Sequence, residues 1–524
     1  MRFRFLAAAV LSLASLWLSC PALALDGEPY IHDPSTIMPC DGKYYTFGTG
    51  GGGLISEDGW TWNRGAVRPG GGAAPDAIKI GDRYLVAYGA TGGGLGGGHN
   101  GRILTMWNKT LDPNSPDFTY SEAVVVASSD GIEDCDAIDP SLLLDPADGR
   151  LWMSYGTYFG YIRLVELDPK TGRRVEGNEA LNIAIDCEAT DLIYRDGWYY
   201  LLGTHGTCCN GANSSYNIRV GRSRKVTGPY LDNMGMDMLK GGGRLVVAAN
   251  GRLIGPGHFG LIDLGDGVQK YSCHYEADLD RGGRSILEIR SLLWKNGWPI
   301  TGENFTGGTF EIESERSGYA LELGVDGVPV GGARRGREMG MGMGGRGARG
   351  GNAPADPNGG ALTGRGGVGG RRGGGGMFGG RNSGPVTPIA NQDVNEVSKN
   401  WPAGILGIRI GDYMLQAHQK WTITPIKGAG GYPGGPWFKI TIAGTDRALS
   451  ATPEAEVVAV PAFTGQPEEL WRIDQLTDGT YRIMPKSVPN ADGPLALTAV
   501  GLSTPTLAKF DPKSDRARWN FRTP

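Results

Sequence analysis

One short pattern governs what this chain can fold into. A turn glycine is followed by an aromatic-rich strand, and the pair occurs five times. The copies begin at Asp41-Gly42-Lys43-Tyr44-Tyr45, Gly81-Asp82-Arg83-Tyr84, Asp148-Gly149-Arg150-Leu151-Trp152, Asp196-Gly197-Trp198-Tyr199-Tyr200 and Asp266-Gly267-Val268-Gln269-Lys270-Tyr271. Asp-Gly between apolar runs is a hairpin signal, because a two-residue turn needs positive φ. Aromatic and β-branched residues suit the returning strand. The mean spacing of about 56 residues exceeds a minimal propeller blade, so insertions are expected. Convincing amphipathic helices are absent. The expected fold is all-β, a five-bladed β-propeller; a β-sandwich is the other arrangement such hairpins allow.

Each turn glycine has an ionisable residue upstream. Asp33 and Glu188 lie nine residues before Gly42 and Gly197, Asp139 ten before Gly149, and His258 nine before Gly267. Asp76 lies five before Gly81. On the innermost strands of a propeller these positions converge at the central channel. Clustered carboxylates raise one another's pKa, which destabilises the fold and marks a candidate functional site. Two carboxylates in different environments suit glycoside hydrolysis, one protonated to serve the leaving oxygen and one ionised.

The first 24 residues read as a secretory signal: Arg2 and Arg4, an apolar Leu6–Leu18, then Ala22-Leu23-Ala24. Cys20 raises a lipoprotein anchor as the less favoured alternative. A secreted or periplasmic location permits disulfides, and the six remaining cysteines allow 15 pairings. Cys208-Cys209 either joins as a vicinal pair or pairs elsewhere. No later stretch has the length and apolarity of a transmembrane segment. Net charge is −4, and glycine numbers 89. Of these glycines 24 fall in residues 331–385, a tract with nine arginines against Glu338 and Asp356. Without that tract and the signal, the remainder carries about −13, which argues against nucleic-acid binding. The tract reads as a flexible basic loop.

Several motifs together are specific. Ile31-His32-Asp33-Pro34-Ser35, Ala74-Pro75-Asp76, Asp136-Ala137-Ile138-Asp139-Pro140-Ser141, Cys187-Glu188-Ala189, Cys208-Cys209-Asn210-Gly211-Ala212-Asn213 and Gly255-Pro256-Gly257-His258 occur in order. In these, residues 30 to about 300 resemble glycoside hydrolase family 43, especially its arabinan-cleaving members. The resemblance implies a five-bladed propeller and inverting hydrolysis of α-1,5-arabinan. It makes Asp33 the general base, Glu188 the general acid, and Asp139 the residue that orients Glu188 and raises its pKa. It implies that His258 sits beside a central-channel ion, often calcium. Candidate substrate contacts are His32, Asp76, Tyr158, Phe159 and His205, and the implied partner is plant cell-wall arabinan or its oligosaccharides. Endo cleavage of arabinan is the leading expectation and an exo-acting α-L-arabinofuranosidase or an arabinoxylan-active enzyme the alternative, because Glu188 is followed by Ala-Thr rather than the commoner Ala-Pro and the Gly92–Gly98 connection is pliable. A non-catalytic sugar-binding propeller is the rival class; retention of all three carboxylates argues against it.

The propeller is expected over 25–303. From 304 to 524 strand pairs recur, each followed by a tryptophan: Trp421, Trp471 and Trp519. These three units resemble a ricin-type β-trefoil, its first unit interrupted by 331–385. Only Trp421 keeps the Gln-x-Trp form. Sugar binding and a purely structural appendage both remain open for this module.

Overall fold

The computed structural model describes residues 24–91, 100–129, 135–315, 318–325, 393–500 and 504–524. Residues 1–23 of the expected signal, the Gly92–His99 connection and the 331–385 tract lie outside these residues. Five antiparallel sheets of four strands come first. Blade 1 spans residues 38–67, blade 2 73–128, blade 3 141–184, blade 4 188–247 and blade 5 253–301. Each hairpin signal falls between the first and second strands of a blade. Asp41-Gly42 and Asp196-Gly197 hold both turn residues at positive φ, the conformation that two-residue hairpins require. Asp266-Gly267 has the same pair of positive φ angles inside the longer loop between Asp263 and Gln269.

The innermost strands are Met38–Cys40, Ala73–Ile80, Ser141–Leu144, Glu188–Arg195 and Leu253–Asp263. They lean on one another around the axis. Asp76, buried in blade 2, accepts from Thr36 N–H (3.0 Å) beside blade 1 and from Leu142 N–H (2.8 Å) in blade 3. Ser141 Oγ donates to Asp191 of blade 4 (3.0 Å). Gly260 of blade 5 approaches Thr36 so closely that a Cβ there would lie 3.0 Å from its Cα. The N-terminal stretch laces this seam. Asp26–Gly27 adds a parallel strand to blade 1, while Pro29 O and Ile31 O accept from Leu287 N–H and Ser285 Oγ of blade 5.

Apolar packing lies between neighbouring blades. Leu85, Ile103 and Trp107 of blade 2 meet Leu151, Met153 and Val165 of blade 3. Ile193, Tyr200 and Val220 of blade 4 meet Phe259, Tyr271 and Ile286 of blade 5. The aromatic strands of the hairpin repeat supply much of this burial. That is why they read as continuous apolar runs rather than alternating ones.

A C-terminal β-sheet domain follows. Six strands close a ring: Gly308–Ser314, Lys420–Pro425, Phe438–Ile442, Trp471–Gln475, Tyr481–Pro485 and Trp519–Arg522. Three hairpins accompany it, pairing Tyr319–Leu323 with Leu406–Asp412, Ala448–Ala451 with Val457–Val460, and Ala496–Val500 with Thr504–Ala508. Trp421, Trp471 and Trp519 are fully buried, and their indole N–H groups donate to Leu321 O, Leu449 O and Leu497 O at 2.9, 3.0 and 2.9 Å. The tryptophans are thus core residues in equivalent settings.

The domain sits directly on the propeller. Asp58 of blade 1 accepts from Gly431 N–H (2.8 Å), and Asp266 pairs with Arg482 (3.1 Å). Buried Lys270 of blade 5 faces the Arg472–Asp474–Arg482 cluster. Among the described residues no helix is long and apolar enough to cross a membrane.

Candidate active site

Five residues other than glycine hold a left-handed backbone at one equivalent position per blade: Asp33 (φ 52°), Ala74 (44°), Asp139 (52°), Ala189 (45°) and His258 (60°). Residues with a Cβ seldom take this conformation, and it concentrates where function needs an aimed side chain. Next to it the ladder register shifts in blade 2 (Ala73 to Asp76), blade 4 (Glu188 to Asp191) and blade 5 (Gly257 to Gly260). Such bulges redirect side chains. The left-handed backbone sets Asp33, Asp139 and His258 at one cleft, and Glu188, beside the blade 4 bulge, enters it from one residue earlier than its blade equivalent.

The cleft has a volume of about 260 Å³, and Asp33, Asp139, Glu188 and His258 all line it. His32, Thr49, Ile138, Tyr158, Phe159, Tyr216, His274 and the Cys208–Cys209 disulfide complete most of the wall. Of the expected substrate contacts, His32, Tyr158 and Phe159 reach it. Tyr158 and Phe159 pack together with ring centroids 4.5 Å apart, and Phe159 is exposed, as a sugar platform requires. Asp76 and His205 are elsewhere. Asp76 has both oxygens taken by the blade-to-blade bonds above. His205 is buried at the end of its strand, and burial followed by the nearby Arg219 charge holds its pKa down at about 4.

The carboxylates are in opposite electrostatic states. Burial alone would raise the Asp33 pKa, but His258 and His32 outweigh it and hold the group well below the usual range. His32 Nδ1 lies 2.9 Å from Asp33 Oδ2, His258 Nδ1 3.6 Å from Oδ1, and Thr49 Oγ1 donates to Oδ2 at 2.6 Å. His274 Nδ1 accepts from the Asp33 N–H at 3.0 Å. Glu188 is pushed up to about 9, first by burial and then by the charges of Asp139 and Asp33. Asp139 rises to about 7, first by burial and then by Asp33. The Tyr216 hydroxyl donates to Glu188 Oε1 and fixes the carboxyl's orientation.

A second layer was not expected. Glu276 accepts from His32 Nε2 at 3.2 Å and from Cys209 N–H at 2.9 Å. Its pKa falls to about 2 because His274, with Nε2 3.8 Å away, and the hydrogen bond from His32 outweigh its burial. His32, flanked by Asp33 and Glu276, rises to about 10 despite burial and is an imidazolium. His274 and Glu276 lie on the fifth aromatic strand, where every residue is buried and no alternation distinguishes them. Tyr216 and Thr49 carried no independent signal either.

Calcium takes six to eight oxygen ligands. The described groups of three or more metal-type side chains centre on His32, with nitrogen or sulfur donors prominent, and none contains His258. His258 Nδ1 has one carboxylate oxygen near it, Asp33 Oδ1 at 3.6 Å, far short of the oxygen set calcium takes. The residues present do not make a calcium cage, and no chemical step below passes through one.

A propeller whose cleft holds one ionised and one protonated carboxyl is the site of a glycosidase. The chain belongs to the glycosyl hydrolases family 43. The model of that family matches residues 49–299. The extracellular exo-α-(1→5)-L-arabinofuranosidase of Cellvibrio japonicus is 32% identical over 328 residues, covering 56% of this chain and 92% of the relative. The extracellular endo-α-(1→5)-L-arabinanase 1 of Bacillus subtilis is 36% identical over 182 residues, or 34% of this chain and 54% of the relative. Among solved structures, an exo-1,5-α-L-arabinanase from a bovine ruminal metagenomic library has 32% identity and a TM-score of 0.49, covering 52% of this chain and 97% of that one.

Proposed function

We propose that the protein is an exported, inverting hydrolase of α-1,5-L-arabinofuranosidic bonds in arabinan. The observation that carries the reading is the opposite protonation of Asp33 and Glu188 across one cleft. Asp33 accepts a proton from water as its oxygen attacks the anomeric carbon. The bond from that carbon to the glycosidic oxygen breaks, and Glu188 gives its proton to the departing oxygen. Solvent exchange then returns a proton to Glu188 and removes one from Asp33. Asp139 keeps Glu188 protonated by its proximity, and Tyr158 with Phe159 supports the sugar. The relatives' names support the arabinan substrate and the extracellular setting.

Endo action is the leading mode. Exo action is the second reading, supported by the name of the Cellvibrio japonicus relative, an exo-α-(1→5)-L-arabinofuranosidase. Incubation with debranched arabinan, arabinoxylan and an aryl arabinofuranoside separates them. Mixed oligomers are expected from debranched arabinan; a single small product assigns exo action, and no product from any of the three overturns the assignment. The six-stranded ring, three hairpins and three equivalent tryptophans support a β-trefoil for the C-terminal domain.

A further inference from the structure

The Cys208–Cys209 disulfide lies in the wall of the catalytic cleft, on the connection between Trp198–His205 and Asn217–Ser223. Cys209 is exposed, so a small reductant can reach the bond. Exposed disulfides are the labile ones. The two Sγ atoms, a ring nitrogen of His32 and a carboxylate oxygen of Glu276 all lie within 4.8 Å of one another. Glu276 already links the other partners, accepting from Cys209 N–H and from His32 Nε2. While the sulfurs are joined they offer no thiolate. Once separated they complete a set of two thiolates, one imidazole and one carboxylate, which suits four-coordinate zinc.

We propose that reduction of Cys208–Cys209 creates a zinc site from Cys208, Cys209, His32 and Glu276, and that zinc bound there shuts off hydrolysis. The shut-off rests on the reading of Asp33 as general base; the site itself does not. A small dithiol supplies the electrons: the protein S–S bond breaks, two thiols form, and the dithiol closes to its own cyclic disulfide. Zinc then displaces a proton from each thiol and one from the His32 imidazolium, and all three pass to the buffer. The dication draws His32 away from Asp33, whose Oδ2 lies 2.9 Å from the His32 Nδ1, and stands in the cleft that Asp33 lines. It also takes up the Glu276 carboxylate and fills part of the cleft.

The test uses the full-length enzyme, reduced with dithiothreitol, freed of it anaerobically and titrated with cobalt(II) and then zinc. The expected result is a thiolate-to-cobalt charge-transfer band in the reduced protein and none in the oxidised one. Zinc should bleach that band and lower arabinan hydrolysis by about 10²-fold or more, the worth of a general base; chelation and reoxidation should restore the rate. Absence of the band overturns the site, as does a band that persists in the Cys208→Ser/Cys209→Ser double variant. A band with unchanged hydrolysis overturns the shut-off. The cobalt spectrum needs no turnover, so a wrong substrate assignment does not disguise either result.

Discussion

Glu188 keeps its proton at neutral pH because it is buried and because Asp139 and Asp33 share its cleft. In the proposed mechanism the protonated form is the working one, so kcat/KM should fall as pH rises through about 9. The same mechanism needs Asp33 ionised, and His258 and His32 hold it so, which sets the expected acid limb below the ordinary carboxylate range. Asp139→Asn removes a negative neighbour from Glu188. Its alkaline limb should therefore move to lower pH in a pH–rate profile, and an unmoved limb would deny Asp139 its electrostatic role. Glu188→Gln should lower kcat/KM on arabinan by about 10²–10⁴-fold. The loss should be much smaller on an aryl arabinofuranoside, whose leaving group needs no proton. Equal losses on both substrates would point to a binding role instead.

At the scale of strands, the hairpin turns were legible because a two-residue reversal accepts few residue types. The innermost strands were legible only to within a residue or so. Counting back from each turn aligned Glu188 with Asp33, whereas the backbone aligns Ala189 with it. Bulges in the innermost strands changed the count, and nothing in composition marks a bulge whose residues are not glycine. Asp76 illustrates the same limit. Its motif placed it near sugar, but its oxygens bind Thr36 N–H and Leu142 N–H. Asp76→Ala should leave the buried Leu142 N–H and the half-buried Thr36 N–H unpaired and cost about 2 kcal/mol, read by denaturant unfolding. Unchanged stability would refute the brace. Glu276 and His274 escaped notice because a strand buried along its whole length looks like core filler, even where two of its members turn to the site.

The whole molecule places a catalytic ring on a second β domain through a charged, buried seam. Lys270, Arg472, Asp474 and Arg482 meet there, and Asp474 is the acid between them, with Arg472 Nε at 2.7 Å and Arg482 Nη2 at 2.9 Å. Asp474→Ala would take the acid away from buried Lys270 and half-buried Arg472 and leave Arg482 with Asp266 alone, so a loss of about 3–5 kcal/mol is expected in thermal or denaturant unfolding. A loss below about 1 kcal/mol would mean the seam is better hydrated than its burial indicates. The propeller itself was readable in the chain because five separate turns repeated one signal. The seam was not, because it joins residues some 200 positions apart, such as Asp266 and Arg482. The central claim, inversion by an Asp33–Glu188 pair, is tested most directly by proton NMR of the first sugar released from debranched arabinan, read before mutarotation. The new reducing end should appear as the β-anomer; an α-anomer at the earliest time points would contradict the mechanism.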